Sequence, residues 1–230
     1  MTMPQPIFNQ QSFDFLQKLT KNNNRVWFNE HKALYEECIR SPALLLIETM
    51  QPHIQALSPN FTAVAKKTGG SLMRVYRDIR FAKDKTPYKT NIGIQFRHLN
   101  AKNVHAPAFY LHISNDECFL AAGIWRPSGV ALSSIREMIS DNPSSWNKIT
   151  GDKTFQRYFC LSGESLKTYP RGYSKEHPMI NDLKRKDFIA IHPLSKEQVL
   201  SESFIEIIDQ AYRVSDDFMD YLCNALELNY

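Results

Sequence analysis

Two stretches, NIGIQFRH at 91–98 and AFYLHIS at 108–114, decide the fold. In the first, Ile92, Ile94 and Phe96 alternate with Gly93, Gln95 and Arg97; in the second, Phe109, Leu111 and Ile113 alternate with Tyr110, His112 and Ser114. A period of two is that of a strand with one face on a core. CFLAAGIW at 118–125 follows after only the polar SNDE, which predicts a hairpin between 108–114 and 118–125. SLMRVY at 71–76 reads as a further strand, with Met73 and Val75 inward and Arg74 and Tyr76 outward. DFIAIHPL at 187–194 reads as a short edge strand. The sheet is therefore expected to be mainly antiparallel, with four or more strands.

On either side of this block the apolar period becomes helical. Phe13, Phe15, Leu16 and Leu19 predict a first helix, and Trp27, His31, Leu34 and Cys38 a second, with His31 packed into the core beside Trp27. Ser41-Pro42 reads as the N-cap and first residue of a third helix, running to about Leu57. Leu132, Ile135, Met138 and Ile139 predict a helix over 130–142, with more helix over 143–160. KTYPRGYSKEHP at 167–178 is loop by composition. One long helix from about Ser195, with Phe204, Ile208, Ala211, Tyr212 and Phe218 on its stripe, closes the chain. The expected class is α+β: a mainly antiparallel sheet packed against N-terminal and C-terminal helices, residues 1–230 forming one domain.

The chain of 230 residues is 43% hydrophobic and 23% charged, close to the globular average. A chain of this length buries roughly 70% of its unfolded surface, enough to fold without disulfides or metals. Cys38, Cys118, Cys160 and Cys223 are far apart and form no C-x-x-C pair, the pattern of reduced thiols in a cytoplasmic protein. No secretory signal or membrane-length apolar run is visible, so the expected location is the cytoplasm, with no membrane partner. The common nucleotide, metalloprotease and nucleophile-elbow motifs are absent. No metal-ligand spacing is seen, and the cofactor and oligomeric state are left unassigned.

The net charge is +4, but it is segregated. RVYRDIRFAKDKTPYK, residues 74–89, holds six basic side chains against two aspartates, and residues 167–186 hold six against two acids. The C-terminal stretch 196–229 carries eight acids against Lys196 and Arg213. Arginine forks match phosphate or carboxylate oxygens in bidentate fashion, so Arg74, Arg77 and Arg80, with Lys85 and Lys89, form a candidate oxyanion cradle. Asp78 would orient the arginines and stands beside His112 as a candidate catalytic group. Tyr88 and Arg171 would close the cleft.

His112 is the candidate for proton transfer, because it sits mid-strand on the polar face with Gln95, Arg97, Tyr110 and Ser114. The leading function is binding of a phosphorylated or other anionic small molecule, with chemistry on that ligand as its fuller form. Two alternatives stand beside it: a non-enzymatic module that binds nucleic acid or protein, and an Arg/Asp lattice that only stabilises the fold.

The run Arg74, Arg77-Asp78, Arg80-Phe81, Asp84-Lys85, Tyr88-Lys89 resembles the hallmark of a bacterial family catalogued as domain of unknown function 2461. NNNRVWFNEHKALYEE at 22–37, AAGIWRPS at 121–128 and YPRGYSKEHP at 169–178 resemble it too, so the likeness covers the whole chain. The resemblance implies a compact cytoplasmic protein. It carries no known activity and no catalytic residues to transfer.

Overall fold

The computed structural model describes residues 6–102 and 106–230. Helices α1 (Gln10–Lys21) and α2 (Arg25–Glu30) begin at asparagines: the Asn9 side chain accepts from the Gln11 N–H and that of Asn24 from the Trp27 N–H. Such caps satisfy amide donors that the helix itself leaves open. Next come α3 (Lys32–Tyr35), a wide turn of π-helix (Glu36–Arg40) and α4 (Ser41–Leu57), without interruption. Ser41 has helical φ and ψ (−63°, −46°), so Ser41-Pro42 continues a helix instead of capping a new one. Pro42 has no N–H to give to the Cys38 carbonyl, and the Ser12 hydroxyl donates to that oxygen instead, at 2.7 Å. His31 is half-buried, its ring stacked on Trp27 at 4.1 Å.

The strands are β1 (Phe61–Thr62), β2 (Asn91–His98), β3 (Ala108–Ser114), β4 (Cys118–Ile124), β5 (Cys160–Ser162) and β6 (Phe188–Leu194). They form a six-stranded sheet in the order β1-β2-β3-β4-β6-β5, antiparallel at each pairing. The α+β class and the β3–β4 hairpin follow the sequence expectation. Strand β6, expected at an edge, lies inside the sheet because β5 covers its outer side. SLMRVY is not a full strand. It meets the sheet through single bridges, Leu72 to Ile94 and Tyr76 to Tyr88. Leu72 and Val75 are buried there and Met73 only half-buried, while Arg74 and Tyr76 are exposed.

Beyond β4 come α5 (Gly129–Asp141), α6 (Pro143–Thr150) and α7 (Lys153–Tyr158), with α8 (Ile180–Leu183) ahead of β6. The expected long C-terminal helix is three pieces: α9 (Lys196–Val199), α10 (Phe204–Val214) and α11 (Asp216–Ala225). The break between the last two falls at Ser215, fully buried, whose hydroxyl donates to the Tyr212 carbonyl at 2.8 Å. Side chains on one sheet face register in rows, such as Phe96–Phe109–Ala122–Ala190 and Ile92–Ile113–Cys118–Leu194. Helix α4 packs on β2, and α10 and α11 pack on β4. Tyr212 from α10 meets Phe109 at 4.7 Å and Phe96 at 6.2 Å.

Candidate functional site

Period two puts a second set of rows on the opposite face: Gly93–His112–Phe119, Gln95–Tyr110–Ala121–Ile191 and Arg97–Ala108–Gly123–Ile189. The small residues fall centrally and the large ones to the sides, which leaves a hollow of about 800 Å³. That lies within the usual range for small-molecule sites. Met73, Lys89 and Trp125 rise around it, with Ala101 and Ala106 on another side. Two glycines are required by close approach. A Cβ on Gly93 would sit 2.9 Å from the Tyr110 hydroxyl and 3.1 Å from the Met73 sulfur. Gly123 has φ +122° and its Cβ would meet the Phe188 carbonyl at 2.1 Å.

The polar groups of the hollow are linked. The Tyr110 hydroxyl lies 3.2 Å and the Asn91 amide nitrogen 3.4 Å from Nδ1 of His112, and the His112 ring stacks on Phe119 at 4.8 Å. Burial lowers the His112 pKa from its usual 6.5, with Glu117 pulling weakly the other way. The imidazole is thus neutral at pH 7, with Nδ1 as acceptor and the proton on Nε2. Burial raises the Tyr110 pKa, so its hydroxyl keeps its proton. This pair can offer hydrogen bonds to an anion or pass a proton between tyrosine and imidazole. Burial, with Arg74 adding to it, lowers the Lys89 pKa. Arg97 donates its Nε–H to Gln95 at 2.9 Å.

Of the catalytic and ligand-binding candidates, His112 and Lys89 line this hollow, together with Gln95, Arg97 and Tyr110 of the expected polar face. The others lie elsewhere. Arg77 is bound to Asp84 and Thr86. Arg80 is paired with Asp78 at 2.7 Å, and the Lys85 ammonium donates to the Ile79 carbonyl at 2.9 Å. Arg74 and Arg171 are exposed and line no part of the hollow. Tyr88 is buried, its ring stacked on Phe28 at 4.0 Å and its backbone bonded both ways to the Asn23 amide at 3.0 and 2.9 Å. It anchors the strand entry that carries Lys89. Ser114 faces the turn, bonding Glu117.

Tyr110 stands on the expected polar face beside His112, whereas Trp125 and the small floor residues were not singled out as site residues. Their signal was there in the period-two positions of Gly93, Ala121 and Gly123, which lack bulk where a solvated face usually carries polar side chains. Trp125 is 65% exposed at the rim, with the Arg126 guanidinium 4.7 Å from its ring centre. The rim is pinned from below by Asp187, only 3% exposed, whose carboxylate accepts from the Arg126 N–H at 2.7 Å and the Glu164 N–H at 2.9 Å.

A second histidine contact carries no nucleophile chemistry. His177 Nδ1 accepts from the Met179 N–H at 3.1 Å, so the neutral ring's proton is on Nε2 and points to Ser140 Oγ, 3.1 Å away. That ring cannot take the serine proton. Among the described residues no group of three or more His, Cys, Asp or Glu side chains is placed to hold a metal ion, and no helix is long and apolar enough to cross a membrane.

The fold and hollow describe a two-layer α+β protein with helices on one face of an antiparallel sheet and a lined cavity on the other. The chain belongs to the family described as "Conserved hypothetical protein (DUF2461)", whose profile matches residues 11–221 of 230. No curated protein matches the chain.

Proposed function

We propose that this is a small-molecule-binding protein whose open sheet face takes an anionic ligand, phosphorylated or otherwise. Lys89 and Arg97 hold the charge, the Gln95 amide and the His112 Nε2–H donate hydrogen bonds, and His112 with Tyr110 serves proton transfer if the bound ligand reacts. One observation carries the reading: two cations and a linked Tyr–His pair converge on one hollow of about 800 Å³ with a largely apolar floor. Convergent polar groups with a shifted pKa in a roomy apolar cavity are the general mark of a ligand site. The test is a thermal-shift panel of compact anions, sugar phosphates and nucleotides at two salt concentrations. Stabilisation by a small anion in wild type that disappears in Lys89→Met supports the reading, by mass action. An unresponsive panel refutes it.

A second reading, an interaction module, is favoured by the exposed loop 77–86, where Arg80, Lys83 and Lys85 surround Phe81, 95% exposed. A bare aromatic among cations suits stacking on single-stranded nucleic acid. Stabilisation by oligonucleotides alone, lost at high salt, would favour that module. The pairing of Arg77 with Asp84 and Arg80 with Asp78 supports instead a purely structural role for this loop.

A further inference from the structure

The anionic-ligand reading leaves the body of the ligand open, and the cavity walls constrain it. Apart from Lys89, Gln95, Arg97, Tyr110 and His112, every residue lining the hollow is apolar or glycine. Ala121, Ile189 and Ile191 make the floor, and Phe119, Met73 and Trp125 stand at its sides. No Asp or Glu is among the lining residues described, and the side-chain acceptors there are few, with Gln95 Oε1 taken by Arg97 and His112 Nδ1 facing Tyr110, which suits the several hydroxyls of a sugar or ribose poorly. The floor is sheet, and its backbone N–H groups are engaged in the β2–β3–β4–β6 ladder. None of the lining residues belongs to the first turn of an α-helix. The backbone cradles that hold di- and triphosphates are therefore missing at this place.

Two cations reach the hollow. Arg97 is exposed to solvent and gives its Nε–H to Gln95, whereas the half-buried Lys89 ammonium has no protein acceptor among the described contacts of the cavity. Solvent screens the exposed guanidinium, so Lys89 is the group placed to hold a single carboxylate, and apolar walls match an apolar body.

Building on the anionic-ligand reading, we infer that the hollow binds a lipophilic monoanion, an aromatic or aliphatic body bearing a single carboxylate. The carboxylate sits against Lys89 within reach of Tyr110, and the body lies over Ala121 and Ile191 towards Trp125. Burial weakens the ammonium's hold on its proton in the empty protein, and an arriving carboxylate restores it.

The test is isothermal titration of the full chain with naphthalene-2-carboxylate, its neutral carboxamide, AMP and glucose 6-phosphate. Wild type, Lys89→Met and Ala121→Phe are compared, with folding checked by circular dichroism. The expected result is one site for the carboxylate, with at least tenfold weaker binding of the carboxamide. Both variants should weaken the carboxylate at least tenfold, one by removing charge and the other by filling the floor. If Ala121→Phe does not fold, Ile191→Trp fills the same floor from the neighbouring strand. Lys89-dependent binding of AMP or glucose 6-phosphate without the naphthoate overturns this inference and leaves the anion reading standing. Failure of all four probes removes both. Equal affinity for acid and amide, or naphthoate binding untouched by either variant, also overturns it.

Discussion

Replacing Lys89 with methionine separates binding from stability, because the two should move in opposite directions. The backbone at this point is fixed: the Lys89 N–H donates to the Val75 carbonyl at 2.7 Å, and Tyr88 before it is clamped by Asn23 and Phe28. Methionine keeps an unbranched side chain, so the change is confined to the ammonium. A carboxylate about 4 Å from that ammonium gains about 4 kcal/mol at an effective dielectric of about 20. Desolvation takes back part of this, and hydrogen bonds to charged groups retain a net of about 1.5–3 kcal/mol. The loss of affinity is then roughly 10- to 150-fold.

The stability sign follows from the lysine's own environment. Burial, and Arg74 secondarily, lower its pKa from 10.5, so the fold disfavours the charged form relative to the unfolded chain. At a pH below the lowered value that penalty is fully present, and Lys89→Met removes it. Calorimetric melting at pH 7 should show a higher Tm for the variant without ligand, while titration with naphthalene-2-carboxylate shows weaker binding. A variant that melts lower and binds as tightly as wild type would refute the assignment.

Three further outcomes follow from the same structure. Because burial depresses the His112 pKa, wild type should lose stability relative to His112→Asn as pH falls below 6.5, reaching its full loss once below the folded value; parallel melting curves from pH 7.5 to 5 would contradict this. The side-chain bonds from Arg80 and Arg77 hold Asp78 and Asp84 at about 2, so order in the loop is present above the usual 3.8 and lost only as pH falls through about 2. Amide signals of residues 77–86 should accordingly keep their positions down to pH 4, and earlier shifts would show the pairs are not formed. Gly123→Ala should cost about 3 kcal/mol through its positive φ and its collision with β6, read as a lower denaturation midpoint; a change under about 0.5 kcal/mol would exclude the close approach.

The sheet was legible because its alternation is local: each of 91–98 and 108–114 states its own two faces. The π-turn ahead of Pro42 and the break at Ser215 were not, since both depend on partners remote in sequence or on burial, Ser12 for the one and the packed interior for the other. The polar face with His112 could be read from one strand. The cavity could not, because its room comes from Ala108, Ala121 and Gly123 standing side by side on two strands. Charge density in 74–89 was equally plain, yet composition does not say which acid each arginine meets. The structure gives Arg77 to Asp84 and Arg80 to Asp78, and leaves Lys89 at the hollow.

The most direct test of where a ligand sits is amide chemical-shift mapping of the ¹⁵N-labelled protein titrated with naphthalene-2-carboxylate. Saturable shifts concentrated at Lys89, Gly93, Tyr110, Ala121 and Gly123, with residues 77–86 unmoved, are the expected result. Shifts confined to the arginine loop, or none at millimolar ligand, would contradict a binding site on the open face of the sheet.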